Sequence, residues 1–329
     1  MRKDRNHVPL HVQISKQLND MAGYGRSKHQ DKQLGLTDRY IYSYSTMKAY
    51  QKHAHLFVSW IHAHREEFKQ DLGRYPRYLT DCAPYAARWI QEGIDKGLSA
   101  YTINLQISAL KKLYCNTGID LHLEFNSTKP KTSRAGITRS RKDAVRDRHF
   151  SETRNADLIT TCKCCGFRRF ELAKCKPEDL QRMPNGSYCV RITGKGGKTR
   201  LAPLTGTADE VLDAATFIKQ LNGHNRIHSA ADIHAYRAEY ATRVYKAYAR
   251  PVEALKGRQI DYSQLTGKYN ADGSHIFKSA LYQCRSDQKG VWFDRYALIK
   301  ASQALGHNRE SVVAEHYLYQ LVSEFNSGQ

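Results

Sequence analysis

Residues 187–204 read SYCVRITGKGGKTRLAPL and predict the β structure of a chain that is otherwise rich in helical patterns. Polar and apolar residues alternate from Ser187 to Thr193, which is the two-residue period of a half-buried strand. The segment Gly194–Lys198 supplies a glycine-rich turn, and Thr199–Leu204 follows as a second strand. The pattern predicts a β-hairpin with Lys195 at its tip.

Helical patterns surround this hairpin. The predicted helices cover residues 157–174, 207–223, 229–249 and 296 to the end. The second of them opens with a capping box, Thr207-Ala208-Asp209-Glu210, and includes Leu212 among its expected buried positions. Together with the hairpin, these helices predict an α+β domain over residues 150–329.

The first half of the chain has only helical patterns. Ser45 and Ser99 are predicted to cap helices whose apolar residues recur at three- and four-residue steps. We therefore expect a helical domain over residues 39–127. Residues 1–38 are polar and basic with little periodicity, which predicts a flexible or loosely packed N-terminal extension.

Residues 128–149 join the two predicted domains and have a different composition. Eight basic residues stand there against only two acidic ones, with few apolar residues between them. The basic residues are Lys129, Lys131, Arg134, Arg139, Arg141, Lys142, Arg146 and Arg148. We interpret the segment as an interdomain linker, whose charges are either simply solvated or close around a nucleic-acid duplex.

The charge of the whole chain indicates its class of partner. The 329 residues include 52 Lys and Arg against 32 Asp and Glu, a formal net charge of +20. Such a surplus predicts a polyanionic partner rather than a small substrate, although a generally basic surface is the alternative. No signal peptide pattern follows the charged N-terminus, and no apolar run approaches the roughly 20 residues of a membrane helix. We expect a cytoplasmic protein without a membrane partner.

The eight cysteines are expected to be reduced thiols in such a protein. Four of them cluster, at Cys162, Cys164, Cys165 and Cys175. Their spacing lacks the paired C-x-x-C of a zinc module, so we expect them to pack as small apolar residues and expect no metal site.

Four short motifs follow one another in the second half of the chain. They are CGFRRFEL at 165–172, GKGGK at 194–198, HAYR at 234–237, and ALGH at 304–307 followed by HYLY at 316–319. Arg168 is predicted inside an apolar helix, where its charge is costly unless Glu171 satisfies it. Glycines beside Lys195 let its ammonium approach a phosphate, and His234 and Arg237 share one helical face.

Taken together and in this order, the motifs resemble the catalytic domain of the tyrosine recombinases, the phage-integrase family of site-specific DNA recombinases. Residues 45–118 are similar to the core-binding domain of that family. The resemblance implies a mainly α-helical chain with a small β-hairpin or sheet, in which a helical core-binding domain precedes an α+β catalytic domain. It covers nearly all of the chain after residue 38.

The resemblance also implies how a phosphodiester is activated. Arg168 and Arg237 would clamp the non-bridging oxygens of the scissile phosphate, where negative charge builds in the transition state. Lys195 would be the general acid that protonates the departing 5′-oxygen. No metal or nucleotide cofactor is implied, because fixed cations supply the positive charge.

The remaining roles concern the nucleophile. Tyr317 would attack the phosphorus and form a 3′-phosphotyrosyl bond. His234 would be an acid–base partner or a phosphate ligand, His307 would hydrogen-bond the phosphate, and Glu171 would orient the arginines. In the family the nucleophile commonly lies nine residues after the ALGH histidine, whereas Tyr317 lies ten residues after it; Tyr319 is the second candidate.

A second departure is the distance of 70 residues between Arg237 and His307, since a few tens are usual in the family. The excess, about residues 250–295, contains two turn-like segments at 269–274 and 287–292 and predicts a hairpin insertion. It is either a contact with DNA or another protomer, or it has no separate role.

The predicted function is site-specific recombination for the integration or excision of a mobile element. The expected partners are double-stranded DNA attachment sites, a homo-tetramer assembled on DNA, and directionality or accessory factors. The alternatives are a nicking–closing enzyme similar to type IB topoisomerases and a DNA-binding protein without catalysis. The 12 residues after Tyr317 pack either on their own chain or on a neighbouring protomer.

Several cations outside the proposed catalytic group are predicted to grip the DNA backbone. They are Lys111 and Lys112 in the helical domain and Arg139, Arg141 and Lys142 in the linker. The target sequence does not follow from these residues, because base readout depends on which side chains meet which groove.

Overall fold

A computed structural model of the chain describes residues 8–119, 121, 123, 150–194, 197–285, 288–307 and 309–322. The chain divides into two compact units, Met1–Ser133 and Arg134–Gln329. The division falls inside the predicted linker, residues 128–149. That segment lies outside the described residues, so its assignment stays a prediction.

The first unit is helical over its described residues. Its α-helices are α1 Leu10–Asn19, α2 Lys28–Gln33, α3 Tyr44–Ala63, α4 Arg65–Leu72, α5 Leu79–Cys82, α6 Ala86–Asp95 and α7 Ala100–Tyr114. Ser99 caps α7 as predicted, whereas α3 is capped by Ser43 rather than Ser45. The apolar stripes of α3 and α7 face each other and form the centre of one core.

The prediction of a loosely packed extension over residues 1–38 is wrong for its described part. Helix α1 packs against α3, and its Leu10, Ile14 and Leu18 are buried in the core of the first unit. These three residues recur every four positions, so they lie on one face of the helix. Mostly polar residues lie between these three apolar positions, so the sequence alone did not reveal the apolar face of α1.

Over its described residues, the second unit combines helices with three small antiparallel sheets. Its α-helices are α8 Ala156–Cys165, α9 Arg169–Lys174, α10 Ala208–Lys219, α11 Ile233–Tyr248, α12 Tyr262–Thr266, α13 Arg295–Leu305 and α14 Glu310–His316. The strands are β1 Leu180–Arg182, β2 Tyr188–Thr193, β3 Thr199–Pro203, β4 Gln259–Asp261, β5 Phe277–Ser279, β6 Leu281–Gln283 and β7 Trp292–Asp294. The sheets have the orders β1-β2-β3, β4-β5 and β6-β7.

The predicted hairpin is confirmed by the pairing of β2 with β3. Val190 lies opposite Ala202 in the register, and both are fully buried. Ile192 extends the same inward face by the two-residue alternation. Helix α11 packs against α8 and α13, and together with the inner face of the sheet they enclose the core of the second unit.

Three local predictions for the second unit need correction. The single helix expected over residues 157–174 is two helices, because Gly166 has a φ of +62° and ends α8. Leu212 is not buried but 59% exposed, since α10 turns Ala214, Ala215 and Ile218 inward. The insertion at residues 250–295 holds two strand pairs and helix α12 rather than one hairpin.

The predicted packing of the cysteines is confirmed. Cys162, Cys164, Cys165 and Cys175 are buried in the core of the second unit as free thiols. Burial raises the pKa of the Cys175 thiol to about 12, as expected for a thiol that packs rather than reacts. In the part of the chain that the structure describes, none of the helices combines the length and apolarity needed to cross a bilayer.

Candidate active site

Arg237 on α11 is a charged side chain in the middle of the second unit, and only 1% of it is exposed. Its guanidinium donates hydrogen bonds to the carbonyl oxygens of Gly166 and Leu305. Burying a charge is unfavourable unless hydrogen bonds and nearby charges compensate it. The two carbonyls fix the guanidinium between the end of α8 and the end of α13.

Gly166 makes this arrangement possible. Its left-handed φ of +62° favours glycine, and a Cβ added there would collide with the ring of Tyr240. The residue turns the chain out of α8, so Arg168 lies in extended backbone immediately before α9. Arg168 therefore stands at a helix start and not inside an apolar helix, which corrects the sequence prediction.

Glu171 is the buried carboxylate around which the arginines are arranged. Its Oε1 accepts a hydrogen bond from Nη1 of Arg168 at 2.6 Å, and its two oxygens accept a bidentate pair from Arg200 at 3.0 and 2.9 Å. Nη1 of Arg237 lies 3.9 Å from Oε2. Burial alone would raise the pKa of Glu171, but the hydrogen bond and charge of Arg200, with help from the backbone of Arg168, lower it to about 2. The orienting role expected for Glu171 is consistent with these contacts.

Arg200 belongs to this cluster, and the sequence analysis missed it. Besides its pair with Glu171, its Nε donates to the carbonyl oxygen of Ala304 at 2.9 Å. A Cβ at Gly306 would lie 2.9 Å from Cδ of Arg200, so the turn before His307 needs glycine to admit this side chain. The two-residue alternation of the strand could have identified Arg200, because residue 200 shares the inward face of β3 with Ala202.

Tyr317 ends α14 with its ring buried, 5% exposed, beside Arg237 and between two histidines. Its hydroxyl oxygen accepts a hydrogen bond from Nε of Arg237 at 3.4 Å and lies 3.2 Å from Nε2 of His307. The ring centroid is 5.3 Å from that of His234 and 5.4 Å from that of His307. The motifs HAYR, ALGH and HYLY therefore meet at one hydroxyl.

The electrostatics of this cluster favour an anion. Burial lowers the pKa of His307 to about 3, and the charges of Arg237, Arg168 and Arg200 add to that effect, so the imidazole is neutral at neutral pH. Burial likewise lowers the pKa of Arg237 to about 10, with contributions from Arg168 and Arg200. Three guanidiniums around one carboxylate leave positive charge that a bound anion would compensate.

The chain is similar to a curated protein and to several solved structures. No family model matches the sequence. The tyrosine recombinase XerC of Agrobacterium fabrum (strain C58) is 34% identical to this chain over 86 residues, which are 26% of either protein. Over that segment the chain is similar to a tyrosine recombinase. The match spans only about a quarter of that curated relative's length.

Solved structures of tyrosine recombinases and integrases are similar over nearly the whole chain, but only distantly. XerH bound to difH substrate is 16% identical, with 98% of this chain and 91% of that chain covered and a TM-score of 0.47. The Tn1549 transposon integrase in complex with circular intermediate DNA is 13% identical, with coverages of 98% and 100% and a TM-score of 0.37. Likenesses at this level assign no function to individual residues.

Five of the six catalytic residues predicted from the sequence lie near one another in the described structure: Arg168, His234, Arg237, His307 and Tyr317. The sixth, Lys195, lies outside the described residues. Its preceding neighbour Gly194 is close to the cluster, because a Cβ added there would lie 3.4 Å from Oε1 of Glu171 and 3.7 Å from Nη1 of Arg168. The base of the hairpin tip is thus beside the arginines.

The residues predicted to grip the DNA backbone fall into three groups. Lys111 is exposed at the end of α7. Lys112 instead donates to the carbonyl oxygens of Thr37 and Asp38 at 3.0 and 2.7 Å, so its ammonium already has partners within the chain. The linker residues Arg139, Arg141 and Lys142 lie outside the described residues.

Proposed function

We propose that this chain is a site-specific DNA recombinase that cuts and rejoins DNA through a 3′-phosphotyrosyl intermediate. One observation carries the proposal: the hydroxyl of Tyr317 lies within hydrogen-bond distance of both Arg237 and His307, in a cluster with surplus positive charge. A buried phenol held by cations has the composition of a nucleophile aimed at a phosphate.

In the proposed reaction the Tyr317 hydroxyl gives its proton to the neutral imidazole of His307, whose Nε2 lies 3.2 Å away, and the Tyr317 oxygen attacks the phosphorus of one DNA strand. A bond forms between that oxygen and phosphorus, and the bond from phosphorus to the 5′-oxygen breaks. Arg168 and Arg237 bind the non-bridging oxygens, whose charge grows in the transition state, and Lys195 gives its proton to the departing 5′-oxygen. A free 5′-hydroxyl from another strand then reverses the same steps and rejoins the DNA.

His307 has a role that depends on whether the phosphate is bound. Burial, helped by the charges of the three arginines, lowers the pKa of His307 and keeps its imidazole neutral, so Nε2 is available as a hydrogen-bond partner of the phenol. A bound phosphodiester adds negative charge to the cluster and raises the pKa of His307 back towards its ordinary value. We infer that substrate binding prepares His307 to accept the phenolic proton and to hydrogen-bond the phosphate, while the ring of His234 lies 5.3 Å from that of Tyr317 between centroids.

The substrate we propose is a pair of double-stranded DNA attachment sites belonging to a mobile element, brought together by a homo-tetramer. The net charge of +20 supports a DNA partner, since each neutralised phosphate contributes to affinity by counterion release. Strand exchange between two duplexes needs four cleavage centres, which a tetramer supplies. Accessory proteins that set the direction of exchange belong to the same proposal.

Covalent trapping tests the activity without knowledge of the target. The protein is incubated with a library of random-sequence duplexes that carry a nick, so that the short fragment released by cleavage diffuses away and religation is blocked. We expect protein–DNA bands that survive SDS, and sequencing of the trapped DNA to converge on one motif. The bands should disappear in Tyr317→Phe and persist in Tyr319→Phe.

The outcomes separate the competing functions. Trapping without any sequence motif, together with relaxation of supercoiled plasmid, would favour a nicking–closing enzyme. Binding of the library without any covalent band, for wild type as well as Tyr317→Phe, would leave a DNA-binding protein and reject the enzymatic proposal. Loss of the band in Tyr319→Phe alone would reject Tyr317 as the nucleophile.

A further inference from the structure

The insertion at residues 250–295 packs against α14, the helix that ends at Tyr317. The contact centres on Glu310, the first residue of α14, which is 8% exposed and thus a nearly buried carboxylate. The hydroxyl of Tyr262 in α12 donates to its Oε2 at 3.0 Å. Nη1 of Arg295 donates to its Oε1 at 3.0 Å, and Nζ of Lys278 in β5 lies 3.7 Å from the same oxygen.

Two of these partners, Tyr262 and Lys278, lie within the insertion, and the third, Arg295, is its last residue and the first residue of α13. Lys278 also stacks on Tyr262, with Nζ 3.5 Å from the ring centroid. Arg295 holds the insertion strands as well, because it donates to the carbonyl oxygens of Ser279 at 2.7 Å and Leu281 at 3.0 Å. The carboxylate of Glu310 is therefore connected to α12, to β5 and to the start of β6.

The insertion is attached to the neighbouring helix too. Nε2 of Gln303 in α13 donates to the carbonyl oxygen of Leu265 in α12 at 2.6 Å. Helix α12 is thus hydrogen-bonded both to α13, which precedes His307, and to α14, which precedes Tyr317. A displacement of α12 would be transmitted to both residues.

Helix α14 depends on such anchors because it is short. It has seven residues, and a helix of that length is not stable by itself. Val313 and Ala314 bury its apolar side, but apolar packing alone does not fix the rotation of so short a helix. The Glu310 carboxylate supplies a directional anchor at the N-terminal end, where negative charge also suits the helix dipole.

We propose that the insertion is a positioning element for the nucleophile, acting through the Tyr262–Glu310 hydrogen bond on α14 and Tyr317. The proposal rests on the proposed function for its catalytic consequence. Tyr262 and Glu310 touch no reacting group; they are positioning residues that set where the phenol lies relative to Arg237. An insertion that merely decorated the surface would have no reason to converge on one buried carboxylate.

Hydrogen exchange of the full-length protein tests this without relying on activity. In Tyr262→Phe we expect amide exchange in residues 310–317 to accelerate about tenfold or more, because a hydrogen bond to a buried charge is lost. Exchange in α11 should stay unchanged. Tyr269→Phe is the matched control: the same chemical change in the same insertion, at a side chain that is exposed and makes an edge-to-face contact with His275.

The catalytic readout is the rate of covalent-complex formation in a single turnover on nicked DNA. Tyr262→Phe should lower that rate about tenfold with unchanged DNA affinity, since displaced reacting groups lose rate rather than binding. Lys278→Met, which removes the more distant and partly exposed partner, should give a smaller effect in the same direction and keeps the test valid if Tyr262→Phe fails to fold. Tyr269→Phe should react like wild type.

The results distinguish this proposal from the proposed function. Local acceleration in residues 310–317, in a wild-type protein that never forms a covalent complex, would support the positioning element and reject the recombinase chemistry. Exchange in Tyr262→Phe that equals wild type in residues 310–317, or that rises evenly over the second unit, would overturn the positioning role. An equal loss of DNA affinity and rate would overturn it as well.

Discussion

The two units carry their cations in different ways. In the first unit, cations lie at the surface against aromatic rings: Cζ of Arg26 lies 4.0 Å from the centroid of Tyr40, and Nζ of Lys48 lies 4.8 Å from that of Tyr44. In the second unit, Arg237 is 1% exposed and shares a buried carboxylate with two other arginines.

The environment of each cation indicates its function better than the net charge of the chain does. Surface cations cost little and are screened by salt, so they suit contacts with the DNA backbone. Buried guanidiniums are unfavourable to fold around, and an apolar core of similar volume is often equally stable or more so. A cluster of them beside a phenol is therefore best understood as a site for a charged transition state.

The largest expected effect is on chemistry, at Arg237. Arg237→Lys keeps one charge but cannot donate in two fixed directions, to the carbonyls of Gly166 and Leu305. We expect the single-turnover rate of covalent-complex formation to fall about 100- to 1000-fold while DNA affinity changes little. The control is Arg243→Lys on the same helix, whose side chain is paired with Glu210 and Glu239 away from the cluster. An unchanged rate in Arg237→Lys would show that the buried guanidinium of Arg237 is not needed for the reaction.

The next effect is on stability, at Glu171. Glu171→Gln leaves the arginines without their shared carboxylate, and we expect the free energy of unfolding to fall by about 3–5 kcal/mol in urea titrations. Glu67→Gln in the first unit is the matched control, since Glu67 also pairs with an arginine, Arg88, but at an exposed site. Equal effects of the two substitutions would mean that burial does not distinguish the units.

A smaller effect is the pH dependence that His307 contributes. Its folded-state pKa of about 3 lies below its unfolded value near 6.5, so the unfolded chain binds a proton first as the pH falls. Stability should therefore decrease as the pH falls from about 6.5 towards 3, and the depressed pKa of Glu171 adds a further loss below about 4.5. Between pH 7.5 and 5.0, wild type should lose about 2 kcal/mol more than His307→Asn. Equal losses of stability in wild type and in His307→Asn would show that the imidazole of His307 is not held neutral in the folded protein.

The smallest effect concerns surface cations of the first unit. Lys111→Ala should lower the slope of log affinity against log salt by about one, and weaken binding of all sequences alike. Lys112→Ala should leave the slope almost unchanged but reduce stability, because its ammonium binds the carbonyls of Thr37 and Asp38. Gel shifts at increasing salt and thermal unfolding check both. If Lys112→Ala lowered the salt slope and Lys111→Ala did not, Lys112 rather than Lys111 would be the residue that contacts the DNA backbone.

Elements that depend on contiguous patterns could be predicted from the sequence. The Ser99 cap and the apolar spacing after it predicted α7, and alternation around the glycine turn predicted the pairing of β2 with β3. The ordered motifs also pointed to residues that the structure brings near one another, since each motif had its own local signal; their catalytic roles stay predictions.

Features that depend on distant contacts could not be predicted in the same way. The break after α8 is required by the ring of Tyr240, and Glu171 is satisfied by Arg200 from the other side of the hairpin. The burial of α1 depends on its packing against α3. The contact of Tyr262 with Glu310 joins residues 48 positions apart, and no local pattern indicates such a pair.

The measurement that tests the central claim most directly is the identification of the residue that becomes attached to DNA. Trapped complexes are digested with nuclease and protease, and mass spectrometry locates the remaining nucleotide. We predict a single modified site, Tyr317, whose hydroxyl contacts Arg237 and His307. A nucleotide on Tyr319, on any other residue, or on none would contradict it.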